Sequence, residues 1–261
     1  MKKLIFFGTT LLIIMAMLLT GCSAVFHTEA LGDVIQKTYD FSGFTSVQLS
    51  NAFQYQITQS DTYSITVSAY QNMLDHLDIH QSGTTLYVGL KFGLFGFNDN
   101  ENSSIIIAMP QLNKLDISGA CSGSVSGFNT NSDFVADLSG ASQLNLDITA
   151  GKTTLNASGA SDITGNLTSG ETEITLSGAS QCKLGGSAGN TTIEASGASS
   201  MNSPDFAMQS ADVNLDGASN AGVLTAGTLN LDISGFSTLN YYGNPVLGTI
   251  DISGASKLNH K

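Results

Sequence analysis

Eight times in the second half of the chain a tetrad of small residues returns, nearly always Ser-Gly-Ala-Ser, with its glycine at Gly119, Gly140, Gly159, Gly178, Gly197, Gly217, Gly235 and Gly254. The steps between successive glycines are 21, 19, 19, 19, 20, 18 and 19 residues. A unit of ~19 residues cannot bury a core alone, so a period this regular implies coils that stack on one another.

Aligned on their glycines, the units alternate in polarity. Two residues before the glycine stand Ile117, Leu138, Ala157, Leu176, Ala195, Leu215, Ile233 and Ile252, and the column four before it is apolar throughout as well. Between them lies a polar column: Asp116, Asp137, Asn156, Thr175, Glu194, Asn214, Asp232 and Asp251. Period two is the mark of a strand with one face buried and one wet. A weaker strand follows each tetrad, with Leu144, Ile163, Cys182 and Leu239 in its inward column. Together these features predict an all-β parallel β-helix, a β-solenoid with ~19-residue coils, whose backbone hydrogen bonds run along the stack. The tetrad is then a corner. Glycine supplies φ > 0, the alanine is expected to tuck inside the bend, and the serines bond the turn backbone or one another.

Residues 111–261 hold the regular repeats. Residues 33–110 lack the tetrad but keep the strand pattern in pairs such as Val47 and Leu49, Tyr55 and Ile57, Ile65 and Val67, and Ile105 and Ile107. Helical spacing is convincing nowhere. This region is expected to form irregular β-coils or a β-layer closing one end of the stack, in one continuous domain over 33–261.

The N-terminus reads as an export signal: Lys2 and Lys3, an apolar run from Leu4 to Leu19, then small residues. Leu19-Thr20-Gly21-Cys22 looks like a bacterial lipobox, which makes 1–21 a lipoprotein signal peptide, Cys22 the lipidated residue and 22–32 a linker. The expected location is the bacterial cell envelope, with the lipid on Cys22 anchoring the chain to a membrane. Removal of 1–21 takes away two lysines and no acid, so the formal charge moves from -12 to -14. An acidic chain without arginine has no basic footprint for nucleic acid.

Export permits a disulfide, but Cys121 and Cys182 lie three coils apart, roughly 14 Å at ~4.8 Å per coil, beyond the ~7 Å Cα separation a disulfide tolerates. Two buried or half-buried free thiols are expected. His76, Asp78 and His80 alternate with apolar Leu77 and Ile79 and so share one strand face, where two imidazoles and a carboxylate suit a transition metal. The acidic column of Asp116, Asp137, Glu194, Asp232 and Asp251 offers hard oxygen ligands for Ca²⁺, and it equally keeps a wet face soluble. Lys91-Phe92-Gly93-Leu94-Phe95-Gly96-Phe97 is an apolar, glycine-hinged loop, read as a lid over an open core end or as a contact for a partner. Many β-helices act on glycans, but this chain has neither arginine to neutralise a uronate nor tryptophan to stack on a sugar, and no carboxylate pair stands out.

Tyr39-Asp40-Phe41-Ser42-Gly43-Phe44-Thr45-Ser46-Val47, the strands around Tyr63 to Val67 and Leu86-Tyr87-Val88, and Met109-Pro110 leading into Leu115-Asp116-Ile117-Ser118-Gly119-Ala120 resemble the bacterial auto-transporter adhesin head domain, or head GIN domain, family. The resemblance covers roughly residue 33 to the C-terminus. It implies an all-β, β-helix-like domain of exported and often lipid-anchored proteins, and it carries no active-site motif. The expectation is a non-catalytic surface lipoprotein that presents ladders of Ser, Asn, Thr and Asp to surface glycans or proteins. Two other readings stand beside it: a glycan-active enzyme, and an assembly module that forms homo-oligomers through an uncapped C-terminal coil ending at His260-Lys261.

Overall fold

A computed structural model describes residues 33–91 and 103–261. The signal segment, Cys22, the linker and the Phe92 to Phe97 loop lie outside the described residues. Polar–apolar alternation becomes strands that pair in register one coil apart, and parallel coils of about 19 residues build a β-solenoid of about 8 turns.

Each coil contributes to two faces. The first carries β2 (Ser46–Leu49), β8 (Lys114–Ile117), β10 (Phe134–Leu138) and the later halves of β11 (Gln143–Ala157), β12 (Asp162–Leu176), β13 (Gln181–Ala195) and β14 (Ser200–Leu215). It continues through β16 (Thr228–Ile233) and β18 (Val246–Ile252). The second face carries β3 (Gln54–Gln59), β9 (Ser122–Asn129), the earlier halves of β11 to β14, β15 (Asn220–Thr225), β17 (Thr238–Tyr242) and β19 (Lys257–His260). Inward columns such as Leu115, Ala136, Leu155, Ile174 and Ile193 are fully buried.

The N-terminal end is built differently. There β5 (Leu77–Ser82) pairs antiparallel with β6 (Thr85–Leu90), which extends the first face by pairing with β2. On the second face β1 (Val34–Tyr39), β4 (Ser64–Tyr70) and β7 (Ser104–Met109) pair antiparallel in that order, and β7 joins β3. The one-turn helix α1 (Gln71–Leu74) links β4 to β5. This is the β-layer expected from residues 33–110, and β2 and β3 within it already form a regular coil.

That early coil has its own corner, Ser50-Asn51-Ala52-Phe53, which a search for glycine overlooks. Asn51 sits at φ 77, beside glycines of the repeats at φ 70 to 87. Asparagine is the residue after glycine that most readily enters this region. Its Oδ1 also accepts the Leu90 N–H at 2.9 Å, so the side chain closes the end of the corner column.

Two requirements fix the glycines above it. Their φ is left-handed, and a Cβ on Gly178 would stand 2.6 Å from the carbonyl oxygen of Gly159 one coil below. The same carbonyl accepts the Ala179 N–H at 2.8 Å. The expected inward alanine is corrected here: the alanines point to solvent, and Phe236, which replaces one of them, is 76% exposed. The next residue turns in instead. Ser142, Ser161, Ser180, Ser199 and Ser219 are buried, and each hydroxyl donates to the carbonyl three residues back, as Ser180 does to Ser177 at 2.6 Å. A left-handed glycine rotates its successor outward, which leaves the second residue to fill the bend.

Candidate functional site

The polar column before the tetrads becomes a continuous row along the first face. Pairing sets Asp116 beside Asp137, Asp137 beside Asn156, and so on through Thr175, Glu194, Asn214 and Asp232 to Asp251. The acids come as neighbours at either end, while Glu194 stands alone between Thr175 and Asn214. Asn156 Nδ2 donates to Asp137 Oδ1 at 2.8 Å, and Lys114 Nζ approaches Asp137 Oδ2 at 2.8 Å. The two carboxyls therefore diverge. Partial burial and then the charge of Asp137 push Asp116 up. Burial works the same way on Asp137, but the hydrogen bonds from Asn156 and Lys114 outweigh it and hold that carboxyl below its ordinary value.

A raised carboxyl beside an ionised one is the pattern of a general acid and its partner. Here the ionised member is already engaged by Lys114 and Asn156. Both acids line an open groove of about 310 Å³ with Ser158, Thr175 and Ser177. A second open groove of about 220 Å³ lies further along the same face, between Thr192, Glu194, Asp212, Asn230 and Asp232.

Registers carry this row into the N-terminal layer, through Gln48 and Tyr87 to His80. The His80 ring stacks on Tyr87 with centroids 4.9 Å apart, and its Nδ1 lies 3.1 Å from Asp78 Oδ1. His76 follows α1, with its backbone N–H on the Met73 carbonyl. Asp78 and His80 are thus brought together. Among the described residues no three His, Cys, Asp or Glu side chains gather into a group suited to a metal ion. Cys121 and Cys182 are free and buried, and burial pushes their thiols up to about 11 and about 12.

The second face has its own outward rows, which alignment on the tetrads passed over. In one, register links Gln36, Ser68, Ser104, Gln54, Ser122 and Gln143, and it continues through Gln181 and Asn220 to Thr238. Only Asp162 and Lys257 break its run of amides and hydroxyls. The adjacent row includes Thr66, Gln56, Ser124, Asn145 and Thr164, with Ile106 and Lys183 as its exceptions, and beyond the register shift at Cys182/Gly185 it resumes with Asn202 and Gly222. The signal was present in the sequence as the polar positions three and five after each glycine. Its uncharged side chains look like ordinary surface.

Comparison with known families gives a match to the description "Putative auto-transporter adhesin, head GIN domain" over residues 43–245. The chain belongs to this family. Proteins of known structure share the fold. A putative lipid binding protein from Parabacteroides distasonis superposes with a TM-score of 0.83 at 18% identity, covering 90% of this chain and 99% of that one. A putative adhesin from Parabacteroides merdae gives 0.82 at 16% identity, with 90% and 99% covered. A putative adhesin from Parabacteroides distasonis gives 0.78 at 18%, with 90% and 100% covered. Identities this low speak for the fold alone. No curated protein matches the chain. Membership of an adhesin-like family points to a surface or exported protein, and among the described residues no helix is long and apolar enough to cross a membrane.

Proposed function

We propose that this head GIN protein is an exported lipoprotein, anchored through Cys22, that binds surfaces through the outward rows of its solenoid and performs no chemistry on what it binds. One observation carries the reading. Side chains that recur at the same place in successive coils are held in register from coil to coil, with local shifts such as those at Cys182/Gly185 and Ser203/Ala207, which offers many small contacts rather than one enclosed pocket. Parallel pairing sets those contacts ~4.8 Å apart on a scaffold with buried columns behind it. The divergence of the two carboxyls is explained without a substrate, by the partial burial of Asp116 beside the Asp137 charge and by the Lys114 and Asn156 contacts of Asp137.

Adhesion of cells that display the full chain, compared with cells that lack it, tests the reading on surfaces coated with glycans and with matrix proteins. Adhesion that depends on the chain, and on Cys22 for display, is the expected result. Equal adhesion by both strains would sink it.

A further inference from the structure

We propose that the second face, and not the acidic first face, is the binding surface, and that its ligand is an uncharged polysaccharide laid along the stack. The inference rests on the surface-binding reading above.

Charge separates the two faces. The chain has a formal charge of -12, and the first face concentrates acid at Asp116, Asp137, Glu194, Asp212, Asp232 and Asp251, with Lys114 the lysine beside them. In the two rows of the second face the charged residues are Asp162, Lys183 and Lys257, of both signs. The flanking row brings in Asp147 and Asp205, at the border of the surface rather than within it. An anionic polymer is repelled by the molecule as a whole, and a cationic one is drawn to the first face. The second face is left to a neutral ligand.

Its chemistry points the same way. An amide or hydroxyl both donates and accepts, which matches a ligand whose own hydroxyls do both. The side chains are also steadied before any ligand arrives. Asn145 Nδ2 donates to Thr164 Oγ1 at 3.1 Å, Ser122 Oγ to Gln143 Oε1 at 3.2 Å, and Asn259 Nδ2 to Asn240 Oδ1 at 3.1 Å. Each bond links neighbouring coils and leaves further donor and acceptor capacity facing water. Steadied groups lose less conformational entropy on binding. Rungs ~4.8 Å apart continue from Gln36 to Thr238, with Asp162 as the one charged rung among them. Neither row contains an aromatic platform, so each sugar contributes little and retention grows with polymer length.

The full chain in mild detergent is applied to immobilised dextran, mannan, galactan and a β-glucan, with heparin and chitosan as charged counterparts. Wild type is expected to be retained on at least one neutral polymer, with long chains displacing it far better than short oligosaccharides. The triple variant Gln143→Glu, Asn145→Asp and Asn202→Asp keeps shape and adds charge to exposed positions; it is expected to lose ~10-fold or more in affinity. Asn145→Asp alone guards against misfolding and is expected to show a smaller loss. Asp116→Asn with Asp232→Asn and Asp251→Asn on the first face is expected to leave retention unchanged. Loss of binding in the first-face variant, or no loss in the second-face variants, overturns the assignment of the face. Retention on no neutral polymer overturns the ligand class; if displaying cells still adhere to protein-coated surfaces, the adhesion reading survives, and if they do not, both fall.

Discussion

Replacement of Gly178 by alanine separates the two demands that the corner column makes on its glycines. The first demand is conformational: φ is +73, where an L-residue costs ~1–2 kcal/mol. The second is spatial, because the new Cβ would lie 2.6 Å from the Gly159 carbonyl oxygen and 3.2 Å from its nitrogen. Those atoms are backbone of the next coil and cannot rotate away. Relief requires the coils to move apart at the contact where Ala179 N–H meets Gly159 O at 2.8 Å. Forced accommodation of one extra methyl in a packed site costs ~1–3 kcal/mol, so Gly178→Ala is expected to lose ~2–5 kcal/mol in all. Gly43 supplies the control, with φ +76 and nothing within 4 Å of its Cβ position. Gly43→Ala therefore carries only the conformational cost of ~1–2 kcal/mol. The smaller unfolded-state entropy of alanine offsets both by a similar amount. Urea unfolding of the full chain, followed by far-UV circular dichroism, gives the two losses. A stack of repeats opens by parts, so amide exchange at Ala179 and Ala160 locates the damage. Equal losses at Gly178 and Gly43 would refute the close-approach argument and leave φ as the sole reason for the glycines.

Other expectations follow from buried groups and charges. Thr172 is buried with no partner for its hydroxyl, in register between Thr153 and Thr191, which share that condition; Thr172→Val should stabilise the chain by ~1 kcal/mol, read as a higher urea midpoint. Ser180→Ala removes the bond to Ser177 and should cost ~1 kcal/mol, whereas the neighbouring exposed Ala179→Ser should be neutral by the same measure. Asp116 is raised in the fold, so its contribution favours folding below the unfolded carboxylate value of ~3.9 and is lost as pH rises through the folded one. Asp116→Asn should therefore raise the melting temperature at neutral pH, with the gain vanishing below about pH 4. Asp137 is lowered and has the opposite sign: Asp137→Asn should destabilise at neutral pH, and the difference should shrink as acid protonates the wild-type carboxyl. Cys121 and Cys182, raised by burial, should resist alkylation in the folded chain at pH 8 and react on unfolding.

The fold was legible because its determinants repeat. Leu115 and Ile117, and their counterparts in every coil, alternate with polar residues strictly enough to fix strand, face and period. Corners were legible only in part. A glycine shows a need for left-handed φ, but Asn51 meets that need with a side chain, and the repeat pattern alone does not show it. The expected inward alanine failed because which of Ala179 and Ser180 turns in depends on rotation at Gly178, where Ala179 faces solvent and Ser180 is buried. On the functional side, the charged first-face row stands out because acids contrast with the apolar columns beside them. Second-face residues such as Gln143 and Asn145 become a surface only when register brings them beside Ser122 and Thr164. Recognition by many weak contacts, as proposed for this face, would leave no motif, because its information lies in how the coils align.

Binding without turnover is tested by recovering the polymer after it has bound. The full chain is incubated to equilibrium with a retained neutral polysaccharide of defined length, the complex is washed and dissociated, and the size distribution and reducing ends of the polymer are measured. The expected result is polymer that was retained and is unchanged in length. Shortened chains or new ends would contradict it and make the Asp116 and Asp137 pair the place to look for catalysis.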